Sequence, residues 1–128
     1  MPTVLIVEDA ENAADALARL IRRAGFQADR AANGEGAVAY LRQIVPDLVV
    51  CDLMMPHLDG LGVLRAVRAD PRTADLPVLI YSAAGDAARE PALAAGATAF
   101  YVKGSLDPEQ LIAQMAVLMD RHRPAACG

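Results

Sequence analysis

The 128-residue chain is short of cysteine, histidine and lysine, and it has no long apolar run. Each scarcity excludes something. Cys51 and Cys127 are the two cysteines, too few for a disulfide framework or a Cys/His zinc site. Cys51 lies inside an apolar run and reads as core, whereas Cys127 stands next to the last residue. His57 has no cysteine or histidine beside it to share a metal, and reads as a surface residue; His122 reads as solvated. No segment approaches the ~18–20 apolar residues that cross a bilayer. No basic stretch precedes the first apolar run, as a secretory signal would require. The expectation is a cytoplasmic chain without a membrane partner. The net charge of −4, with no concentrated basic stripe, also argues against nucleic-acid binding.

What is present is apolar and punctuated. Hydrophobic residues make up 55% of the chain, and its length suits one domain with a proper core. Short apolar runs occur at residues 4–7, 28–32 (the weakest), 48–51, 78–81 and 99–102. They are continuous rather than alternating, as in strands buried on both faces of a parallel sheet. Helical patterns fill the intervals. Residues 11–24 carry Ala13, Leu17, Leu20, Ile21 and Ala24 at helical spacing, and Gly25 stops them. Residues 35–44 carry Ala37, Val38, Leu41 and Ile44; residues 59–69 carry Val63, Leu64 and Val67. Pro91 places a short fourth helix near Glu90 or Pro91, after a longer loop. Asp107, Pro108 and Gln110 have the spacing of an N-cap, a first-turn proline and a capping box. Five strands alternating with five helices predict a doubly wound α/β domain over residues 1–122. The remaining tail, 123–128, is too short to be an output domain.

The stretch "PDLVVCDLMMPHLDG" places Asp52 at the tip of a buried strand. In doubly wound sheets, sites form beyond the carboxyl ends of the strands. Glu8 and Asp9 follow the first run and Asp52 the third. Ser82 ends the fourth, and Lys103 follows the fifth. Clustered carboxylates repel unless a cation compensates, and hard oxygen ligands suit Mg²⁺. A carboxylate beside Mg²⁺ can act as a nucleophile toward phosphorus, with metal and ammonium neutralising the phosphoryl oxygens. Of 12 basic residues Lys103 alone is lysine, the compact point charge that a small phosphoryl site would take.

The stretches "VLIVEDA", "VVCDLMMPHLDG", "LPVLIYSAAGD" and "AGATAFYVKG" together resemble the receiver domain of two-component response regulators, the chemotaxis-regulator type included. The resemblance covers nearly the whole chain. It implies a flavodoxin-like five-stranded parallel sheet of order 2-1-3-4-5. Asp52 would be the phosphoacceptor, served by a histidine kinase or a histidine phosphotransfer protein. Asp9, Asp52 and the backbone carbonyl of Met54 would bind Mg²⁺, with Glu8 acting mainly through water. Lys103 would pair with the phosphoryl group, and Ser82 and Phe100 would be the switch pair. Met54 and Ala84 would flank the hydrolytic water and, being unable to orient it, lengthen the life of the phosphoryl group. Signalling would pass through a downstream protein or a self-dimer on the face of helix 4, strand 5 and helix 5. Such a chain would be a phosphorylation switch, with self-catalysed phosphotransfer and autodephosphorylation, rather than an enzyme.

Some features depart from the family pattern. Gly104 stands where the family usually has proline after a cis bond, and the Ser82–Lys103 interval is one residue short. Phe100 replaces the commoner tyrosine, and Tyr101 should face the other side of its strand. A stand-alone receiver is the first reading, and one excised from a hybrid kinase or larger regulator is the alternative. An aspartate-nucleophile phosphatase is a remote one, because its general acid would fall on Met54. A flavin module is disfavoured, because Glu8 and Asp9 would repel its phosphate.

Overall fold

The computed structural model describes residues 2–122 except 54, 56, 57 and 84. Met54, Pro56, His57, Ala84, Cys127 and the tail 123–128 lie outside the described residues, as does the side chain of His122. The expectations placed on them are therefore carried by sequence alone.

Strands β1 (Thr3–Val7), β2 (Gln27–Ala31), β3 (Leu48–Cys51), β4 (Val78–Ser82) and β5 (Ala99–Val102) form one sheet of order β2-β1-β3-β4-β5. Every pairing is parallel. The crossovers are α1 (Glu11–Arg23), α2 (Gly34–Gln43), α3 (Gly60–Ala69) and α4 (Arg89–Ala94), and α5 (Pro108–His122) follows the last strand. β3 is buried throughout, which explains its unbroken apolar sequence. β2 is an edge strand, and it tolerates the exposed Asp29 and Arg30 that weaken its apolar pattern. No described helix is long and apolar enough to cross a membrane.

Two cores sandwich the sheet. Leu5, Val49, Ile80 and Phe100 meet Val63, Leu64 and Val67 of α3 on one face; Val4, Ile6, Val50 and Leu79 meet Ile21, Met115 and Leu118 on the other. Phe100 and Tyr101 fall on opposite sides, as the strand period requires. Cys51 is fully buried, and burial first, then the Asp52 charge, pushes its thiol up out of the reactive range.

Two apolar faces differ from expectation. α1 buries Ala14, Ala18 and Ile21, not the stripe through Ala13, Leu20 and Ala24. The small alanines let the helix lie close to the sheet, while Leu17 and Leu20 turn toward Leu106 and Leu111 beside α5. Ile44 does not reach the core: α2 ends at Gln43, and Ile44 follows in extended conformation, 51% exposed.

The helix ends follow local chemistry. Asp107 and Gln110 form the reciprocal capping box, with Gln110 N–H donating to Asp107 Oδ1 at 2.9 Å and Asp107 N–H to Gln110 Oε1 at 3.0 Å. Asp59 caps α3 by accepting from Gly62 N–H at 2.9 Å. A turn of 3₁₀ helix, Asp86–Ala88, precedes the short α4. Pro91 is the third residue of α4, where its missing N–H has no intrahelical partner to lose.

Candidate functional site

The parallel register brings three strand ends together. Val7 of β1 pairs with Cys51 of β3, so Glu8 and Asp52 emerge side by side. Asp52 N–H donates to Val7 O at 2.9 Å, continuing the ladder one residue beyond β3. On the other flank Lys103 N–H donates to Ser82 O at 2.8 Å, fixing the lysine against the end of β4. Glu8 and Asp52 are buried, at 6% and 7% exposure, whereas Asp9 is exposed.

Lys103 bridges the two buried carboxylates. Its Nζ lies 3.1 Å from Glu8 Oε2 and 3.5 Å from Asp52 Oδ2. Partial burial lowers the ammonium pKa, but the Glu8 hydrogen bond and the Asp52 charge outweigh it and hold the lysine above its ordinary value. Burial raises the pKa of Glu8. The Lys103 hydrogen bond and a hydrogen bond from Ala10 N–H lower it, the Asp52 charge raises it again, and the net shift is upward. One ammonium is therefore shared by two buried carboxylates, with the exposed Asp9 beside them.

One oxygen each from Glu8, Asp9 and Asp52 lies within 4.8 Å of the others. In an octahedral Mg²⁺ shell, oxygens at 2.0–2.1 Å stand roughly 3 Å apart when adjacent and roughly 4.2 Å apart when opposite. Small side-chain adjustments bring this trio to that spacing. The donor set, all hard oxygen, is what the ion prefers. The residues fit the metal.

Neighbouring backbone keeps Asp52 in place. Gly60, at the start of α3, donates its N–H to Leu53 O at 3.1 Å. A Cβ there would come within 2.7 Å of Asp52 O and 2.8 Å of Leu53 Cα, so only glycine lets α3 press against the segment that carries Asp52. After Lys103 the chain turns with Gly104 at φ 89°, the left-handed region that glycine adopts freely, and the Lys103–Gly104 peptide is trans. The departure from the family's usual proline thus becomes a glycine turn, closed by Ser105 N–H to Val102 O at 3.0 Å.

Of the residues marked in the sequence, Glu8, Asp9, Asp52 and Lys103 meet directly. Ser82 is fully buried as the last residue of β4. Phe100 is 2% exposed, turned into the core, and paired in register with Ile80. Two arginines were not anticipated. Arg30 hydrogen-bonds the backbone carbonyls of Glu8 and Asp9. Arg89 lies 5.2 Å from the Phe100 ring centroid and donates to Phe100 O at 3.1 Å. The signals were faint: a charge within the weak strand run for Arg30, and the first turn of a short helix for Arg89.

Comparison with known proteins agrees with this geometry. A family model described as the response regulator receiver domain matches residues 4–116. The DNA-binding dual master transcriptional regulator RpaA of Synechocystis is 34% identical over 122 residues, covering 94% of this chain and 50% of the relative. The chain spans about half the length of the curated relatives it matches. Among solved structures, the receiver domain of Francisella response regulator 1452 superposes with a TM-score of 0.86 at 26% identity, covering 96% of this chain and 100% of that one. The receiver domain of a signal transduction histidine kinase from Syntrophus aciditrophicus superposes with a TM-score of 0.87 at 27% identity, covering 94% and 92%.

Proposed function

Because the chain belongs to the response regulator receiver family, we propose that it is a Mg²⁺-dependent switch that accepts a phosphoryl group on Asp52. The observation that carries this reading is the Lys103 ammonium held between Asp52 and Glu8. Asp52 is the nucleophile: a carboxylate oxygen forms the new bond to phosphorus as the donor's phosphorus–nitrogen bond breaks, and the electron pair leaves on the donor imidazole. Asp9, Asp52 and the backbone carbonyl that the family supplies at Met54 would hold Mg²⁺, with Glu8 acting mainly through water, and the ion would supply positive charge to the transferring phosphoryl group. Lys103 supplies the second positive charge. Its backbone N–H is bonded to the Ser82 carbonyl, which holds the lysine's main chain against the end of β4.

The donor is a histidine kinase or a histidine phosphotransfer protein in the cytoplasm. The chain releases no product of its own beyond phosphate lost by self-hydrolysis, so it acts as a switch rather than an enzyme. Ser82 and Phe100 pass the change to the face formed by α4, β5 and α5, where a downstream protein or a second copy of the chain binds without nucleic acid. A second reading makes this domain one part of a longer regulator. It is favoured by the half-length coverage of the relatives and by the kinase-borne receiver of the same fold.

Incubation with acetyl phosphate and Mg²⁺, followed by intact-mass measurement, tests the assignment. The wild type should gain one phosphoryl group and Asp52→Asn none. A labelled Asp52→Asn protein would place the acceptor elsewhere.

A further inference from the structure

We propose that Arg30 is a positioning residue for the divalent cation. It fixes the backbone from which Glu8 and Asp9 project, so that their carboxylates meet one ion. The proposal rests on the reading of this acidic cluster as a cation site.

The end of β2 grips Glu8 through both its backbone N–H and its carbonyl. Glu8 N–H donates to Ala31 O at 3.2 Å, while Arg30 Nε and Nη2 donate to Glu8 O at 3.2 and 3.0 Å. The same Nη2 reaches Asp9 O at 3.3 Å. One guanidinium thus ties two successive carbonyls, a task for a planar fork with several donors that a lysine ammonium performs less well.

The loop needs such an outside hold. α1 begins after Ala10, whose methyl group gives no side-chain cap, so the helix start does not order the segment. The one local tie from a side chain is the bond from Ala10 N–H to Glu8 Oε1 at 3.1 Å, which occupies a carboxylate oxygen. Arg30 works without taking another. Its three hydrogen bonds all go to carbonyls, so it orders the acidic residues and leaves their charge for a cation.

Arg30 also has a cost of the opposite sign, since a positive charge beside a cation site repels the ion. Two substitutions separate the effects. Arg30→Lys keeps the charge and loses the fork; Arg30→Met loses both. Mg²⁺ is titrated calorimetrically into the full chain, at a temperature where each variant's unfolding curve in EDTA shows it folded. Positioning predicts that both variants bind Mg²⁺ more weakly, by about 10-fold, the lower range for residues that orient metal ligands. If Arg30→Lys binds like wild type, or Arg30→Met binds more tightly, Arg30 acts through charge alone and the proposal falls. A lower melting temperature with unchanged Mg²⁺ affinity would assign Arg30 to stability and also defeat it. Asp9→Asn is the control for the underlying site: if it titrates like the wild type, the cation site itself is misassigned and both readings fail together.

Discussion

The two ends of the sheet both hold a half-buried cation among oxygens, to different effect. At the amino-terminal end, Arg68 donates to the carbonyls of Gly96, Thr73, Ala74 and Leu76, the closest being Leu76 O at 2.6 Å. These are neutral acceptors whose dipoles converge on one guanidinium. Burial lowers the Arg68 pKa, and the Asp75 charge opposes this. At the carboxyl-terminal end, Lys103 bridges the full charges of Glu8 and Asp52, with the Asp9 carboxylate close to both and Arg30 bonded to the backbone carbonyls of Glu8 and Asp9. The first arrangement holds loops together through neutral acceptors. The second gathers carboxylates, and such a cluster favours a further cation. The two edges thus differ in the charge of the acceptors that their cations meet.

The largest expected effect that would break this contrast comes from Lys103→Arg. Arginine keeps the charge, yet its wide planar head does not fit where the ammonium bridges two carboxylates. NMR shifts around Ser82 and Phe100 on phosphorylation should be lost; a wild-type response would deny Lys103 a special role.

Next comes Arg68→Met, which strands several backbone carbonyls at the other end. A loss of about 2–3 kcal/mol in denaturant unfolding is expected. Asp52 labelling should persist in the protein that remains folded. Lost labelling with intact folding would show that the two ends are not separable.

The double change Met54→Asn with Ala84→Glu sharpens the chemical end alone. Polar groups at these positions should orient the hydrolytic water and speed phosphate loss by roughly 10–100-fold. An unchanged decay rate in Mg²⁺ would remove water positioning as the control of signal lifetime.

The smallest effect concerns Glu8. Burial holds its folded pKa above the ordinary carboxylate value, so the native state binds its proton more tightly than the unfolded chain does. Metal-free stability should therefore fall as pH rises from 4.5 through the raised folded pKa. Glu8→Gln should flatten that slope and raise the melting temperature in EDTA at neutral pH by roughly 1–3 °C. A wild-type pH slope in the variant would assign it to other groups.

These contrasts also mark what the sequence could disclose. β1, β3 and β4 declared themselves as continuous apolar runs, because strands buried on both faces have no polar side to show; β5, an edge strand, kept an apolar run although three of its four residues are only half-buried. The acceptor cluster was legible because its members directly follow those strands. The buried face of α1 was not, since its alanine and leucine stripes have similar spacing and the choice between them is made by how closely the helix approaches the sheet. Arg30 and Arg68 escaped for a different reason. Their partners are carbonyl groups, which every residue carries, so no pairing of residue types points to them. Ile44 misled because an apolar residue in phase with a helix continues its pattern even where the helix has ended.

The bridge from Lys103 to Glu8 joins positions 95 apart in the chain, and the bridge to Asp52 spans 51. During synthesis the carboxylates leave the ribosome long before their counter-charge. A chain that has not yet added β5 holds the Glu8 and Asp52 carboxylates without the ammonium that bridges them. The charge pairing of this edge is therefore complete only when the last strand of the sheet has docked, which makes the ion pairs a late, long-range closure of the fold.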